Sequence, residues 1–179
     1  MKLQDEIDII TKSFIGKFGN LSAEQLNWKP NAETWSIGQN IDHLIAINKT
    51  YFPVIASIRR GDYKLPFHAG FSFVTSFFGK FILTSVEPAR KKKMKTFPIW
   101  QPQSSAISTN VFEEFSKQQE VLKQLLNGSS DLIESGQVIY SPASKVIVYK
   151  LETAFEIIVS HERRHFSQAS EILELQHLF

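Results

Sequence analysis

The sequence predicts an all-α protein, a four-helix bundle, and three features support this fold class. Apolar residues recur at helical spacing over four long segments. Capping residues or glycines mark several ends of these segments. The intervening residues suggest no sheet, because the one β-prone stretch has no evident partner strand. Four amphipathic helices bury their apolar stripes most economically against one another.

The composition fits one compact domain over residues 1–179. The chain is 42% hydrophobic and 21% charged, which allows a substantial core. Its formal net charge of +2 is too small to suggest a nucleic-acid-binding protein. The chain has no cysteine, so any metal site must use histidine or carboxylate ligands.

The chain is expected to be cytoplasmic. Asp5, Glu6 and Asp8 stand where a secretion signal would have its apolar core. The most apolar run, residues 71–86, is shorter than the ~20 residues of a membrane-spanning helix and contains Lys80. We therefore expect neither an export signal nor a transmembrane segment.

The first two bundle helices have clear boundaries. An apolar repeat predicts a helix from about Gln4 to Phe18, and the segment 22–25 can cap a short turn after it. Ser36 and Gln39 form a capping-box pattern, which predicts the start of the second long helix. This helix is expected to end at a basic pair followed by Gly61.

A long insert, at about residues 61–107, separates the second and third bundle helices. Its phenylalanines predict a short helix from about Ser72 to Thr84, followed by an irregular loop with a basic run from Arg90 to Lys95. The preferred interpretation is a lid or dimer-packing helix with a solvated loop. Alternatively, the phenylalanines and the basic run bind an anionic membrane surface. A single basic run is not the interleaved pattern of a nucleic-acid-binding surface.

The last two bundle helices are predicted in the C-terminal part. The third runs from about Ser108 to Leu126 and the fourth from about Lys150 to Leu175. The segment between them, residues 129–150, is predicted to be mostly loop. Residues 146–149 are β-prone, but an isolated strand would be unstable.

Three histidines suggest a metal site. His161 and His165 are four residues apart, so they lie on one face of the fourth helix, and its projection turns that face inward. His43 lies at the edge of the apolar stripe of the second helix. Together they can bind one divalent ion and leave a coordination position open. The alternative is three core histidines that are satisfied by hydrogen bonds.

The motif from His161 to His165 also matches the zincin protease signature. The metzincin extension needs glycine and histidine where this chain has Gln168 and Glu171, so a protease is not favoured. Glu162 projects between the two histidines and is a candidate proton carrier, although a supporting or outward carboxylate fits equally well.

Two further polar residues are candidates for orienting a ligand, a bound water or the substrate. Gln168 lies one turn after His165, and Asn40 lies on the inward side of the second helix. Either residue can instead form hydrogen bonds within the bundle.

Several of these motifs together resemble the DinB-like superfamily, including its YfiT-like metal-dependent hydrolases. The resemblance covers about residues 3–58 and 108–175, and the insert has no counterpart in it. The matching motifs are Asn27-Trp28-Lys29-Pro30, Thr34-Trp35-Ser36-Ile37-Gly38-Gln39, His43-Leu44 and His161-x-x-x-His165-x-x-Gln168.

The resemblance implies a four-helix bundle that forms a homodimer and binds zinc or nickel through His43, His161 and His165. Relatives are often transferases that join bacillithiol, mycothiol or glutathione to an electrophile, or isomerases that use such a thiol. A metal with an open position can make bound water or a bound thiol nucleophilic at neutral pH. We therefore expect a thiol S-transferase or a hydrolase acting on a small molecule, with a thiol as possible cosubstrate. A metal-binding bundle without turnover is the alternative.

Overall fold

The computed structural model describes residues 2–89, 96–102, 106–176 and 178. Within them, most residues are helical, as the sequence predicts, and one short antiparallel hairpin is added. The helices are α1 (Leu3–Phe18), α2 (Ala23–Asn27), α3 (Ile37–Arg60), α4 (Ser72–Ser85), α5 (Val111–Asn127), α6 (Ser130–Glu134) and α7 (Leu151–Gln176). The strands are β1 (Val138–Ser141) and β2 (Ser144–Lys150), and 3-10 turns lie at Phe67–Gly70 and Pro98–Trp100.

The four long helices pack on one another around a core that is divided into two apolar clusters. Both α1 and α3 contact α5 and α7. One cluster contains Phe14, Phe18 and Phe115, and the other contains Leu122, Phe155 and two hairpin residues, Ile139 and Tyr149. On α5 and α7, buried polar side chains lie between the residues of the two clusters. The polar groups of the candidate site are therefore held between two apolar layers.

The start of α3 is fixed by the predicted capping box. The Ser36 hydroxyl accepts a hydrogen bond from the Gln39 backbone N–H at 3.1 Å, and the Gln39 side chain accepts one from the Ser36 N–H at 3.2 Å. The helix ends at Gly61, whose φ of 75° lies in the left-handed region that glycine adopts without strain. These ends set the position of His43 in the second turn of α3.

The prediction of a loop over residues 129–150 is wrong. Residues 130–134 form α6, and β1 and β2 pair antiparallel with Ile139 opposite Tyr149. The partner strand was missed because β1 has only four residues, too few to show an alternating pattern. The third long helix also begins at Val111, three residues later than predicted.

The Phe-rich helix α4 is part of the folded body. It packs on β2 and α7, and a Cβ added at Gly79 would lie 3.2 Å from Thr153 Cγ2 and 3.5 Å from Tyr149 Cβ. The absence of a side chain at Gly79 therefore permits this close approach. The basic run from Arg90 to Lys95 lies outside the described residues. No helix among the described residues is both long and apolar enough to span a membrane.

Candidate functional site

The structure brings together the three histidines that the sequence predicts as metal ligands. His43 comes from α3, and His161 and His165 come from consecutive turns of α7. One ring nitrogen from each lies within 4.8 Å of the others. His43 and His165 are buried, and His161 is partly exposed. The distances between the three ring centroids are 4.4 to 5.2 Å.

Hydrogen bonds hold His43 and His165 in the tautomer that a metal ligand needs. The Nδ1–H of His43 donates to the backbone carbonyl of Trp100, which can only accept. His165 donates through Nδ1 to Asn40 Oδ1 at 2.7 Å. The Asn40 amide is oriented by its Nδ2 donating to the Ser36 carbonyl at 2.8 Å, so its oxygen faces the imidazole. Both histidines therefore keep the Nε2 lone pair for an ion.

The two histidines of α7 face each other through the same atoms. The Nε2 atoms of His161 and His165 are 3.0 Å apart. Without an ion, one of the two must carry a hydrogen, and the His165 tautomer assigns that hydrogen to His161. Two nitrogens that bind one tetrahedral ion at 2.0–2.1 Å are about 3.3 Å apart. A small change in side-chain torsions therefore suffices for both nitrogens to bind one ion.

Burial keeps the three imidazoles neutral. Desolvation lowers the pKa of His43 from 6.5 to about 4, against the opposing effect of the Trp100 carbonyl. It lowers the pKa values of His161 and His165 well below the ordinary value, and the positive charge of Arg164 acts in the same direction. Three neutral imidazoles are a donor set that suits zinc, nickel and related divalent ions, so these residues fit such a metal.

The histidines lie on the wall of a cavity of about 880 Å³. Trp35 covers them on one side, with its ring centroid 4.7 Å from that of His43 and 6.0 Å from that of His165. The cavity wall includes charged, neutral polar and apolar groups, among them Arg164, Gln168, Ile47 and Ile157. Its volume is in the range of small-molecule binding sites.

Glu162 lies apart from the cavity and is fully buried between helices. Its Oε1 accepts hydrogen bonds from Asn48 Nδ2 on α3 and from Gln119 Nε2 on α5, both at 2.7 Å. Burial raises the pKa of this carboxyl to about 7, although the two hydrogen bonds oppose the shift. Glu162 is not among the residues that line the cavity. The geometry thus places it as a link between α3, α5 and α7, and its role as a proton carrier stays a prediction.

Asn40 and Gln168, the two other predicted site residues, lie at the cavity wall. Asn40 holds His165, whereas Gln168 directly lines the space beside the histidines. No sequence pattern indicated the Trp100 carbonyl, since any residue offers one. Arg164 was not a predicted site residue; it lines the cavity and donates to the Ser85 carbonyl at 3.0 Å.

Comparison with known proteins identifies one family. The family model of the DinB superfamily matches residues 10–169. No curated protein and no solved structure matches the chain.

Proposed function

The chain belongs to the DinB superfamily, and from this premise we propose that it is a divalent-metal-dependent enzyme that acts on a small molecule. One observation carries the proposal: three neutral imidazoles converge at the wall of a large cavity. Two of them are oriented by hydrogen bonds that leave Nε2 available. Binding by only three protein ligands leaves a position for water or substrate.

The proposed reaction is thiol S-transfer or hydrolysis. When bound, zinc or nickel would lower the pKa of a water or thiol in the open position and so supply a nucleophile at neutral pH. His43, His161 and His165 would hold the ion. Because the chain has no cysteine, the sulfur of a transfer reaction would come from a low-molecular-weight thiol cosubstrate.

Neighbouring residues have defined tasks in this proposal. Asn40 and the Trp100 carbonyl keep the imidazoles aimed at the ion. Trp100 is itself held by its indole N–H, which donates to Thr50 Oγ1 at 3.3 Å. Trp35 excludes water from one side of the site, and the amide of Gln168 can hydrogen-bond to the substrate.

A four-helix bundle and a homodimer are part of the same proposal. The contacts of α1 and α3 with both α5 and α7 support the bundle, because they link the four helices in a closed ring. The homodimer follows from the resemblance of the sequence to its family. Light scattering on the purified protein tests it, and a monomer at micromolar concentration would contradict it.

The metal site is tested by metal analysis of protein purified without a tag. We expect the wild-type protein to contain stoichiometric zinc or nickel, and His43→Ala and His161→Ala to lose it. His68→Ala is the matched control, because His68 is partly exposed and its Nε2–H donates to the Val146 carbonyl at 3.0 Å, away from the three histidines. Absence of metal from the wild-type protein, after attempted reloading, would contradict the proposal.

The reaction is tested with metal-loaded protein, glutathione or bacillithiol, and an aryl halide or an aryl ester. Conjugation supports the transferase, and thiol-independent release of the ester's phenol supports the hydrolase. His161→Ala should abolish either reaction. Bound metal without turnover of these or other small electrophiles would instead support the metal-binding bundle without catalysis.

A second candidate function rests on an exposed aromatic face, defined here as Phe67, Phe71, Phe73, Phe77 and Phe81. The exposed fractions of Phe67, Phe73 and Phe77 are 89%, 72% and 64%. Residues 63–86 contain no acidic residue but include Lys64 and Lys80. We propose that this face binds an anionic membrane surface, because aromatic rings enter the headgroup region and lysines attract anionic lipids.

Flotation with vesicles tests the membrane proposal. Phe73→Ser/Phe77→Ser should lose binding to phosphatidylserine vesicles at low salt, and wild-type binding should weaken as salt rises. Ile9→Ser is the control, since Ile9 is a 51% exposed apolar residue on α1. Failure of the wild-type protein to bind these vesicles would exclude the function, and loss of a dimer in the double variant would assign the face to a second copy.

A further inference from the structure

A group of hydroxyls lies on the wall of the same cavity as the histidines. Tyr51 of α3, Ser141 of β1 and Tyr149 of β2 all line it. The hydroxyls of Tyr51 and Tyr149 are 2.9 Å apart. Burial raises the pKa of Tyr149, and the nearby Ser141 side chain opposes this shift. Three separate elements thus place hydroxyls together at one place on the wall.

The hydroxyls and the histidines mark opposite ends of this cavity. His43, Ile47 and Tyr51 follow one another at four-residue spacing on α3, and all three line the space. His43 and Tyr51 are therefore about 12 Å apart along the helix axis, because eight helical residues rise by that length. Along α7 the hydroxyl end comes first and the histidine end second, the reverse of α3. Tyr149 comes just before the helix, and Gln168 lies beyond the histidines. The cavity therefore extends along both helices.

The lining residues between the two ends are apolar. Ile47 lies between His43 and Tyr51 on α3, and Ile157 and Ile158 lie between Tyr149 and His161. Ile82 of α4 and Ile147 of β2 add to the apolar lining. Among the described residues that line the cavity, three have charged side chains: Glu33, Arg164 and Glu171. All three belong to the histidine end, because Glu33 is two residues from Trp35 and the other two follow His161 on α7.

We propose that the cavity binds an elongated ligand with its reacting group at the three histidines, an apolar middle, and a neutral hydroxyl or carbonyl group held by Tyr51 and Tyr149. This inference rests on the proposed function for the position of the reacting group. A carboxylate or phosphate at the hydroxyl end would be buried without a counter-charge, which is costly. Tyrosine hydroxyls can donate to or accept from a neutral group without that cost.

Straight-chain thiols on the Co²⁺-substituted protein test the ligand class. The absorption band of the cobalt–thiolate bond reports binding directly. Within a series from butyl to decyl chains, the ω-hydroxy thiol should bind more tightly than the methyl-ended thiol at one best chain length, by roughly three- to tenfold for one hydrogen bond. The ω-carboxylate thiol should bind least well.

The variant Tyr149→Phe should remove this preference for the hydroxyl end and leave the affinity for the methyl-ended thiol unchanged. Tyr63→Phe is the control, because Tyr63 accepts a hydrogen bond from the Tyr140 N–H and is not among the lining residues. Equal binding of hydroxy and methyl ends at every chain length would overturn the inference.

The test of the hydroxyl end can be separated from the test of the metal site. If the protein takes up neither Co²⁺ nor zinc nor nickel, the proposed function fails, and calorimetry with alkanediols and matching alkanols on the metal-free protein still decides the inference. A preference for the diol that disappears in Tyr149→Phe supports the hydroxyl end. The same affinity for diol and alkanol overturns it.

Discussion

At the three histidines, burial and hydrogen bonding favour the same chemical state. Desolvation removes the charged imidazolium, and the Nδ1–H bonds of His43 and His165 select the tautomer with Nε2 free. If these histidines only formed hydrogen bonds within the core, their other ring nitrogens would not need to lie close together. The convergence of three ring nitrogens within 4.8 Å of one another is the feature that favours a metal site over a structural role.

The pKa values of the histidines predict that the metal-free protein is destabilised by acid. In the unfolded chain these residues titrate near pH 6.5, whereas the folded-state pKa of His43 is about 4. Between these values the unfolded state binds more protons, so stability falls as pH falls below about 6.5. His43 alone would contribute a loss of ~3 kcal/mol by pH 4. The raised pKa of Glu162 acts in the opposite direction, because the folded state then binds a proton more tightly than the unfolded state. Only this one carboxyl opposes the three histidines, so the net loss of stability in acid remains.

Urea unfolding of the metal-free protein near pH 7.5 and near pH 5 measures this loss. The variant His43→Asn should show a smaller difference between the two conditions than the wild type, and His68→Asn should show the same difference. A wild-type stability that does not change between them would contradict the lowered pKa values.

Glu162→Gln separates the structural role of this residue from a catalytic one. The amide oxygen can still accept from Asn48 and Gln119, and the substitution removes a buried carboxyl whose pKa is about 7. We expect the free energy of unfolding at pH 8 to change by no more than about 1 kcal/mol. Glu162→Leu should cost about 2–4 kcal/mol, because two buried donors lose their acceptor.

Activity of the metal-loaded Glu162→Gln protein completes this test. Unchanged metal content with unchanged turnover assigns Glu162 to the helix interface. Unchanged metal content with turnover lowered a hundredfold or more would support the predicted proton carrier, since general acid–base catalysis contributes about 10²- to 10⁴-fold.

At the scale of the elements, the beginning of α3 connects helix capping to the metal site. The Ser36 side chain caps the helix, and its carbonyl holds the Asn40 amide that orients His165. We expect Ser36→Ala to cost about 1 kcal/mol of stability and also to weaken metal binding. Fluorescence or competition titration with zinc measures the affinity.

Ser22→Ala provides the matched control for this prediction. Ser22 caps α2 in the same capping-box geometry, with its hydroxyl 3.2 Å from the Gln25 N–H, but α2 carries no site residue. It should lose a similar amount of stability and keep its metal affinity. Equal zinc affinities of Ser36→Ala and the wild type would show that the helix cap does not affect metal binding.

At the scale of the whole molecule, the metal would join two helices that are distant in sequence. His43 belongs to α3 and the other two ligands belong to α7. An ion that binds only the folded state at a hundred times its Kd adds about 2.7 kcal/mol to stability. For a chain of this length we expect Tm to rise by about 5–10 °C.

Calorimetric scans with zinc and with chelator measure this shift. His161→Ala should show the Tm of the metal-free protein under both conditions. A wild-type Tm that is the same with zinc and with chelator would contradict a site formed across α3 and α7.

The sequence by itself determined the long helices and the three candidate ligands. The apolar repeats of α1, α3 and α7, the cap at Ser36 and the glycine after α3 are local signals, because helical hydrogen bonds join residues four apart. The spacing of His161 and His165 has the same local origin. The position of His43 at the edge of the apolar stripe of α3 connected it to them, and the family match confirms the membership that the resemblance to the DinB superfamily implied.

Only the tertiary structure decided the hairpin, the partners of the ligands and the position of Glu162. The pairing of β1 with β2 depends on hydrogen bonds between two short strands. No periodic pattern of residues indicates this pairing. The Trp100 carbonyl lies 57 residues from His43, and Asn48 lies 114 residues from Glu162. The helical projection placed Glu162 between the histidines, but its direction is set by the buried donors of α3 and α5. Such contacts form only when packing brings distant segments together, so they are absent from any local pattern of residues.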